Sequence, residues 1–229
     1  MTVQHTKNDA FKSRDPEAVH TIETVHAVQT ESLNGLPAEV AAPSNIVIFG
    51  AAGDLSKRKL IPSLIRMFDC GLLHPESRII GLVNRRTKEA WIQILYDGLV
   101  TIGHDILQHP KKWAEFTQKL VLVSGDLGDL ESYTRIAKAL QPLGDTQQIN
   151  ALFYCAIPPA WYQHVAQGLH HAGLTSETNG YRRIVVEKPF GTNLESSQAL
   201  NTVLQAVFQE QQIYRIDHYL GKERVCKTY

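Results

Sequence analysis

Apolar residues occur along the chain in short runs that alternate with longer stretches in which they recur every three or four positions. Each short run is rich in β-branched residues, which is typical of a buried strand. Six such runs predict strands at 45–51, 78–84, 120–126, 150–157, 182–190 and 211–218. The intervening spacing predicts helices at 55–69, 89–103, 131–140, 161–173 and 194–210, and another near Trp113 and Phe116.

Strands that alternate with helices predict a particular fold class. Successive parallel strands need a crossover connection, and helical crossovers cover both faces of the sheet that they join. The sequence therefore predicts an α/β fold with a doubly wound, mainly parallel sheet of the Rossmann type.

The first 44 residues lack this pattern. They are polar and contain six acidic side chains, at Asp9, Asp15, Glu17, Glu23, Glu31 and Glu39. A secretory signal would need a continuous apolar core, and a transit peptide would be poor in acids. Residues 1–44 are therefore predicted to be a flexible extension that buries too little apolar surface to fold alone.

The overall composition is that of a globular protein and argues against several kinds of partner. Of the 229 residues 43% are hydrophobic and 20% are charged, and 23 Lys and Arg balance 23 Asp and Glu. A neutral chain has no field to attract nucleic acid or anionic lipid, and no apolar run approaches the ~20 residues that span a bilayer. The cysteines, Cys70, Cys155 and Cys226, form no CxxC pair, which favours a reducing compartment and argues against a zinc site. We expect a cytoplasmic protein without a metal ion.

A glycine-rich turn follows the first predicted strand, in GAAGDLSKRKLIPSL at 50–64. The small residues of GAAG would let the backbone approach a pyrophosphate, and the N–H groups at the start of the next helix would face the anion. The spacing is GxxGxxS, with Ser56 at the third place, and turns of this kind also occur for packing alone. We favour a dinucleotide site, in which Asp54 either contacts the cofactor or caps the helix.

The end of the second predicted strand bears on the choice between NAD and NADP. NAD sites usually present an acid to the ribose hydroxyls, whereas NADP sites present a cation to the 2′-phosphate. This chain has GLVNRRTK, with Arg85, Arg86 and Lys88 and no acid. The pattern favours NADP, and the alternative is a solvated basic turn.

Two further polar clusters follow the fifth and sixth predicted strands. IVVEKPFGT at 184–192 brings Lys188 to the carboxyl end of a buried strand, the edge at which open α/β sheets bind ligands. The ammonium group has three donors and could reach a sugar hydroxyl and the cofactor together. In RIDHYLGKE, a helix that starts near Asp217 would bring His218 and Lys222 to one face, a pairing suited to phosphate.

Four segments, GAAGDLSKRKLIPSL, YCAIPPAWY, RRIVVEKPFGTNL and IYRIDHYLGKE, resemble the glucose-6-phosphate 1-dehydrogenase family in order and spacing. The resemblance runs from about Asn45 to Glu223, and RIDHYLGKE is its most specific part. It implies a dinucleotide-binding domain over 45–223 and oxidation of β-D-glucose 6-phosphate to the 6-phosphogluconolactone with reduction of NADP, which opens the pentose phosphate route. The resemblance also implies that the full-length family protein is a homo-oligomer.

The resemblance further implies roles for individual residues. NADP would be bound by Gly50, Ala51, Ala52, Gly53, Asp54, Leu55, Ser56, Lys57, Arg85, Asp126, Leu127 and Lys188. Lys188 would also bind the sugar, and the phosphate of the substrate would be held by His218, Tyr219 and Lys222. Asp217 resembles the carboxylate that pairs with the catalytic histidine of the family.

The sequence departs from the family in two places. The family commonly has Arg where Asn84 stands, and Arg85 would take over from one position further on. After Glu223 the family continues into a large α+β domain that supplies the catalytic histidine, whereas 224–229 is a divergent RVCKTY. We therefore expect a truncated dehydrogenase that lacks the catalytic base and is inactive alone. The alternative is a non-catalytic module that binds NADP.

Overall fold

The computed structural model describes residues 40–145, 147–188 and 194–216, and in these the apolar runs form one six-stranded sheet. Every neighbouring pair of strands is parallel, so the predicted α/β fold with a parallel, doubly wound sheet is confirmed. The strands are β1 (Asn45–Phe49), β2 (Arg78–Val83), β3 (Leu120–Ser124), β4 (Ala151–Cys155), β5 (Arg182–Glu187) and β6 (Ile213–Ile216). The helices are α1 (Ile61–Asp69), α2 (Lys88–Ile102), α3 (Pro110–Gln118), α4 (Leu130–Ala139), α5 (Tyr162–His171) and α6 (Leu194–Gln205).

The order of the strands creates a crevice at the carboxyl edge of the sheet. The strands lie in the order β3-β2-β1-β4-β5-β6, so the chain builds outward from β1 to β3 and then returns to add β4 on the other side of β1. Phe49, Leu82 and Cys155 lie in register at the carboxyl ends of three adjacent strands. The loops after β1 and β4 leave in opposite directions, and open α/β sheets bind their ligands at such a switch point.

Two apolar layers stabilise the sheet, one on each face. Successive side chains of a strand alternate between faces, and in β1 Val47 and Phe49 belong to one layer while Ile46 and Ile48 belong to the other. The first layer includes Tyr133, Ile136, Tyr162, Val165, Leu169 and Leu204 from α4, α5 and α6. The second includes Ile61, Ile65, Trp91, Leu95, Leu99 and Phe116 from α1, α2 and α3. Each buried side chain of this kind contributes about 1.5–3 kcal/mol, which explains why the strands are apolar on both faces.

Local hydrogen bonds define the ends of the helices that flank the carboxyl edge. α2 begins after Thr87, whose Oγ1 accepts a hydrogen bond from the N–H of Ala90 at 3.2 Å. α4 begins after Asp129, whose carboxylate accepts one from the N–H of Glu131 at 3.0 Å. Because both caps lie at the ends of loops that leave the sheet, they also fix those loops.

Several observed elements are shorter than the sequence pattern predicted. Among them, β1 ends at Phe49 rather than at 51, β3 ends at Ser124 rather than at 126, β6 begins at Ile213 rather than at 211, and α6 ends at Gln205 rather than at 210. In β1 the difference follows from Gly50, whose φ of +80° lies outside the extended region.

Contacts of the domain begin a few residues before Asn45. The N–H of Ala41 donates to the carbonyl of Leu72 at 3.2 Å, and the N–H of buried Ser44 donates to Oγ of Ser77 at 3.1 Å. Residues 41–44, assigned to the extension by the sequence pattern, are thus in contact with the domain. The rest of the predicted extension, 1–39, and the predicted tail, 224–229, lie outside the described residues.

Candidate functional site

The turn after β1 has a backbone that a side chain would disrupt. The N–H of Gly53 donates to the carbonyl of Gly50 at 2.8 Å, which closes the turn. A Cβ on Gly50 would lie 2.3 Å from the carbonyl oxygen of Ala156, beyond the end of β4, and the φ of +80° favours glycine independently. A Cβ on Gly53 would lie 3.0 Å from the carbonyl oxygen of Gly50. The turn is therefore a close-packed cradle with bare backbone at the switch point of the sheet.

A helix starts directly after this turn and directs its N-terminus to the same edge. Helical structure begins at Asp54, and a π-helical turn at Ser56–Leu60 leads into α1. The N–H of Lys57 donates to the carbonyl of Gly53 at 3.1 Å, so the preceding N–H groups of Asp54 and Leu55 have no acceptor within the helix. Unpaired N–H groups and the helix dipole together favour an anion at this position.

Several residues predicted at the cofactor also support the turn itself. Ser56 is fully buried, and its hydroxyl donates to the carbonyl of Gly50 at 2.9 Å. Ala51 is fully buried, and its carbonyl accepts from the indole N–H of Trp91 at 3.1 Å. Asp54 is exposed and pairs with Arg58 at 2.9 Å, an interaction distinct from the cap considered for it. Ala52 and Leu55 are half-buried, as is Lys57.

The carboxyl ends of β2 and β3 border an open cavity of about 520 Å³. It is lined by Asn84, Arg85, Ser124, Gly125, Asp126, Asp129 and Arg135. Arg85 has a φ of +48°, in the left-handed region that a residue with a Cβ rarely adopts. This backbone conformation turns the residue away from the direction of β2, so Arg85 lines the cavity although it lies one position past Asn84.

The loop after β3 is fixed by hydrogen bonds from both sides. The carboxylate of Asp126 accepts from the N–H of Gly128 at 2.9 Å and from the side-chain amide of Asn84 at 3.0 Å. The carbonyl of Leu127 accepts from the hydroxyl of Tyr133 at 2.7 Å. Burial raises the pKa of Tyr133 well above its usual range, so the phenol stays protonated and can donate. These bonds hold Asp126, which lines the cavity, and Leu127, which follows it in the chain.

Arg135, which sequence reasoning missed, is a cation of this cavity with acidic partners. Its Nη2 donates to Asp129 at 2.8 Å and to the hydroxyl of Ser132 at 3.0 Å, and its Nη1 lies 3.4 Å from Glu131. Three hydrogen bonds lower the pKa of Asp129. The bond from the hydroxyl of Ser132 has the largest effect, and those from the N–H of Glu131 and from Arg135 have smaller effects. The spacing of four between Glu131 and Arg135 was the available signal, since it brings the two to one helix face.

Lys188 follows β5 at the same carboxyl edge, and two tyrosines fix the residue before it. The N–H of Lys188 donates to the carbonyl of Ile216 at 3.2 Å, and its side chain is exposed. The hydroxyl of Tyr162 donates to the carbonyl of Glu187 and accepts from its N–H, both at 3.2 Å. The hydroxyl of Tyr154 donates to the buried carboxylate of Glu187. Burial raises the pKa of Tyr162 to about 12, so this hydroxyl remains intact at neutral pH.

The sequence also predicted a sugar-phosphate cluster after β6. Asp217, His218, Tyr219 and Lys222 lie outside the described residues.

In the described part of the chain, none of the helices combines the length and the apolarity that a bilayer crossing requires. The described residues also contain no group of three or more His, Cys, Asp and Glu side chains arranged to hold a metal ion.

Comparisons with known proteins agree with this architecture. The family described as "Glucose-6-phosphate dehydrogenase, NAD binding domain" matches residues 47–226. The glucose-6-phosphate 1-dehydrogenase of Dickeya dadantii is 40% identical over 186 residues, which cover 81% of this chain and 36% of that protein. The protein of the same name from Treponema pallidum is 40% identical over 191 residues, which cover 80% of this chain and 36% of that protein.

Solved structures give a similar result. The crystal structure of glucose-6-phosphate 1-dehydrogenase from Mycobacterium avium has a TM-score of 0.67 and 31% identity over 79% of this chain and 37% of that chain. A structure of "Glucose-6-phosphate dehydrogenase in complex with its substrate glucose-6-phosphate" also has a TM-score of 0.67 and 31% identity, over 80% of this chain and 39% of that chain. The chain thus spans little more than a third of the length of the relatives that it matches.

Proposed function

The chain belongs to the glucose-6-phosphate dehydrogenase family, and we propose that it is the part of such an oxidoreductase that binds NADP and one side of the sugar. The reaction of the whole protein would be oxidation of the C1 hydroxyl of glucose 6-phosphate to the lactone. The observation that carries this proposal is the bare-backbone cradle at Gly50–Gly53, which lies at the switch point of a parallel sheet.

The residues at the carboxyl edge fit a dinucleotide phosphate. Gly50 approaches the carbonyl of Ala156 too closely for a side chain, so the turn presents bare backbone, which suits contact with a pyrophosphate. The start of the helix at Asp54 supplies N–H donors for the same group. Arg85 adopts an unfavourable backbone conformation at the cavity after β2 and would offer its guanidinium to the 2′-phosphate.

Lys188 would connect the two ligands. NADP, when bound, would accept the hydride that leaves C1 of the sugar. The ammonium group of Lys188 can donate to the cofactor and to a sugar hydroxyl at once, because it has three N–H donors. Tyr162 holds both backbone polar groups of Glu187, which fixes the direction in which the chain enters Lys188. We extend the proposal to Asp217, His218, Tyr219 and Lys222, as a carboxylate that orients the catalytic base and as the ligands of the substrate phosphate.

Calorimetric titration of the purified chain with NADP tests the proposal. We expect saturable binding of one NADP per chain, and weaker binding by Lys188→Ala because one charged donor is lost. Lys112→Ala is the matched control, since Lys112 is exposed and pairs with Asp69 on another part of the surface. A surface pair of this kind contributes little, so the control should bind NADP like the wild type. A folded sample that releases no heat with either NADP or NAD would refute the proposal.

A second assay tests whether this chain catalyses the reaction alone. Absorbance of NADPH is followed after glucose 6-phosphate is added to the chain with NADP. Formation of NADPH would mean that the residues of this chain suffice for the reaction. Binding of NADP without formation of NADPH would limit the role of this chain to holding its ligands.

A further inference from the structure

The cavity at the ends of β2 and β3 carries charges of both signs. In nucleotide-binding sheets of this class the ribose of the adenosine lies at the end of the second strand, where an acid binds the 2′-hydroxyl of NAD or an arginine accommodates the 2′-phosphate of NADP. In this chain the residue directly after β2 is an amide, Asn84. A carboxylate nevertheless reaches this position, because the amide of Asn84 donates to Oδ2 of Asp126 at 3.0 Å.

The bonding of Asp126 leaves acceptor capacity on its carboxylate. Oδ2 accepts from Asn84 and Oδ1 accepts from the N–H of Gly128 at 2.9 Å. Each carboxylate oxygen can accept about two hydrogen bonds, and Asp126 is exposed at the rim of the cavity. A ribose hydroxyl can donate to such an oxygen, whereas a phosphate group is repelled by it.

The two arginines of the cavity differ in how strongly they can offset this carboxylate. Arg135 is paired with Asp129 at 2.8 Å and approaches Glu131 at 3.4 Å, so acidic neighbours already balance its charge. Arg85 lines the cavity after β2 and favours the 2′-phosphate. A carboxylate that favours a 2′-hydroxyl and a guanidinium that favours a 2′-phosphate therefore line the same cavity.

We propose that Asp126, held at the end of β2 by Asn84, is a specificity residue that accepts the 2′-hydroxyl of NAD and opposes the 2′-phosphate of NADP. The inference rests on the proposed function and refines it: the site binds both dinucleotides, and Arg85 and Asp126 set the ratio of the two affinities. Asn84 acts as a positioning residue, since it orients the carboxylate and does not itself carry charge.

The experiment compares dissociation constants for NADP and NAD in wild type and Asp126→Asn. The substitution keeps the shape of the side chain and an Oδ1 acceptor for Gly128 but removes the charge. We expect the preference for NADP over NAD to rise by about tenfold, because the repulsion of phosphate is lost together with the acceptor for the hydroxyl. Arg85→Ala should shift the preference in the opposite direction, mainly by weakening NADP.

A matched control separates the local effect from that of net charge. Asp105→Asn makes the same change at an exposed residue in the turn after α2, outside the residues that line the cavity. Its ratio of affinities should equal that of the wild type. Equal shifts in both asparagine variants, or an unchanged ratio in Asp126→Asn, would overturn the inference. Thermal unfolding verifies the fold of each variant, and Asp126→Ser serves as a second neutral substitution.

The outcomes also separate this inference from the proposal on which it rests. If the wild type binds neither dinucleotide, the proposed function fails and the inference fails with it. If both dinucleotides bind and the ratio does not depend on Asp126, the inference alone is wrong.

Discussion

Two residues at the carboxyl edge have a positive φ. Gly50 has a φ of +80°, and its Cα approaches the carbonyl of Ala156 too closely for any side chain. Arg85 also has a positive φ, of +48°, although arginine gains nothing from that region. Glycine adopts this region without strain, whereas Arg85 carries a local cost at the edge where we propose that ligands bind, and functional sites are the usual location of such strain.

Gly50→Ala tests the cradle at the scale of one residue. The new Cβ would lie 2.3 Å from a backbone oxygen, and the positive φ adds a further cost, so we expect a loss of about 2–4 kcal/mol in unfolding free energy. Affinity for NADP should fall by more than about tenfold, because the turn must shift. Urea unfolding and calorimetric titration measure the two effects.

Gly71→Ala separates the backbone cost from the contact. Gly71 also has a positive φ, of +68°, but a Cβ there would meet no atom within 4 Å. We expect the unfolding free energy to fall by only about 1 kcal/mol and the affinity for NADP to stay unchanged. If Gly50→Ala destabilises the chain no more than Gly71→Ala does, the contact with Ala156 has no energetic importance.

At the scale of elements, α2 packs closely against the helical turn that follows the cradle. The π-helical turn at Ser56–Leu60 lies between the cradle and α1, and helices of this type often occur at functional sites. A Cβ on Gly98, in the middle of α2, would lie 2.8 Å from Cβ of Lys57 in this turn. Glycine is unfavourable within a helix, so its presence here is explained by the close approach.

Gly98→Ala is predicted to destabilise the chain although alanine favours helix. The gain in helix propensity is about 1 kcal/mol, whereas overpacking of a tight contact costs about 1–3 kcal/mol. We expect the unfolding free energy to fall by up to about 2 kcal/mol. We also expect weaker binding of NADP, because the new side chain would displace Lys57 and the turn. Urea unfolding and calorimetry provide the measurements.

Thr101→Ala is the control within α2. Thr101 is exposed, and its hydroxyl donates only to the carbonyl of Asp97 one turn earlier. Its replacement should change the unfolding free energy by less than about 0.5 kcal/mol relative to the wild type and leave the affinity for NADP unchanged. A Gly98→Ala variant more stable than the wild type would contradict the account of the packing.

The elements were largely predictable from sequence, whereas the side-chain partners were not. Runs such as that in β1 are apolar on both faces, and few structures other than a covered parallel sheet accommodate them. The hydrogen bond between Asn84 and Asp126 joins the loops after β2 and β3 through residues 42 positions apart, so periodicity carries no signal for it. The hydrogen bonds between the hydroxyl of Tyr162 and the backbone of Glu187 likewise depend on where α5 crosses the end of β5.

In the turn after β1, the backbone was predictable from sequence and the orientation of one side chain was not. The sequence predicted a bare-backbone cradle from two glycines three positions apart. It assigned Ser56 to the cofactor by its position, but the hydroxyl of Ser56 is buried and donates to Gly50. Sequence spacing identifies which residues meet in a turn, while burial determines which of them face outward.

At the scale of the whole molecule, one apolar layer contains ionisable groups that must stay protonated. Tyr133, Cys155 and Tyr162 all belong to the layer beneath α4, α5 and α6. Burial raises the pKa of each above its ordinary value, in Tyr162 from 10.0 to about 12. Because the folded pKa exceeds the unfolded one, the stabilisation is complete below the unfolded pKa and is lost as pH rises toward the folded pKa.

We therefore predict steep alkaline unfolding that Tyr162→Phe makes shallower. Each phenol that ionises only on unfolding lowers stability by about 1.4 kcal/mol per pH unit between its two pKa values. The unfolding free energy, measured with urea between about pH 10 and pH 12, should fall less steeply with pH in the variant, by about 1.4 kcal/mol per pH unit. Tyr96→Phe, at an exposed phenol, is the control. Identical slopes for Tyr162→Phe and the wild type would contradict the prediction.

The central claim is that a nicotinamide dinucleotide binds where the parallel strands of this sheet end. Hydrogen exchange of the chain with and without NADP tests it most directly, because each amide reports its own protection. The account predicts slower exchange at 50–57, 84–86 and 124–129, with little change at 74–78 on the opposite edge of the sheet. Protection confined to the opposite edge, or no protection in a folded sample at saturating NADP, would contradict it.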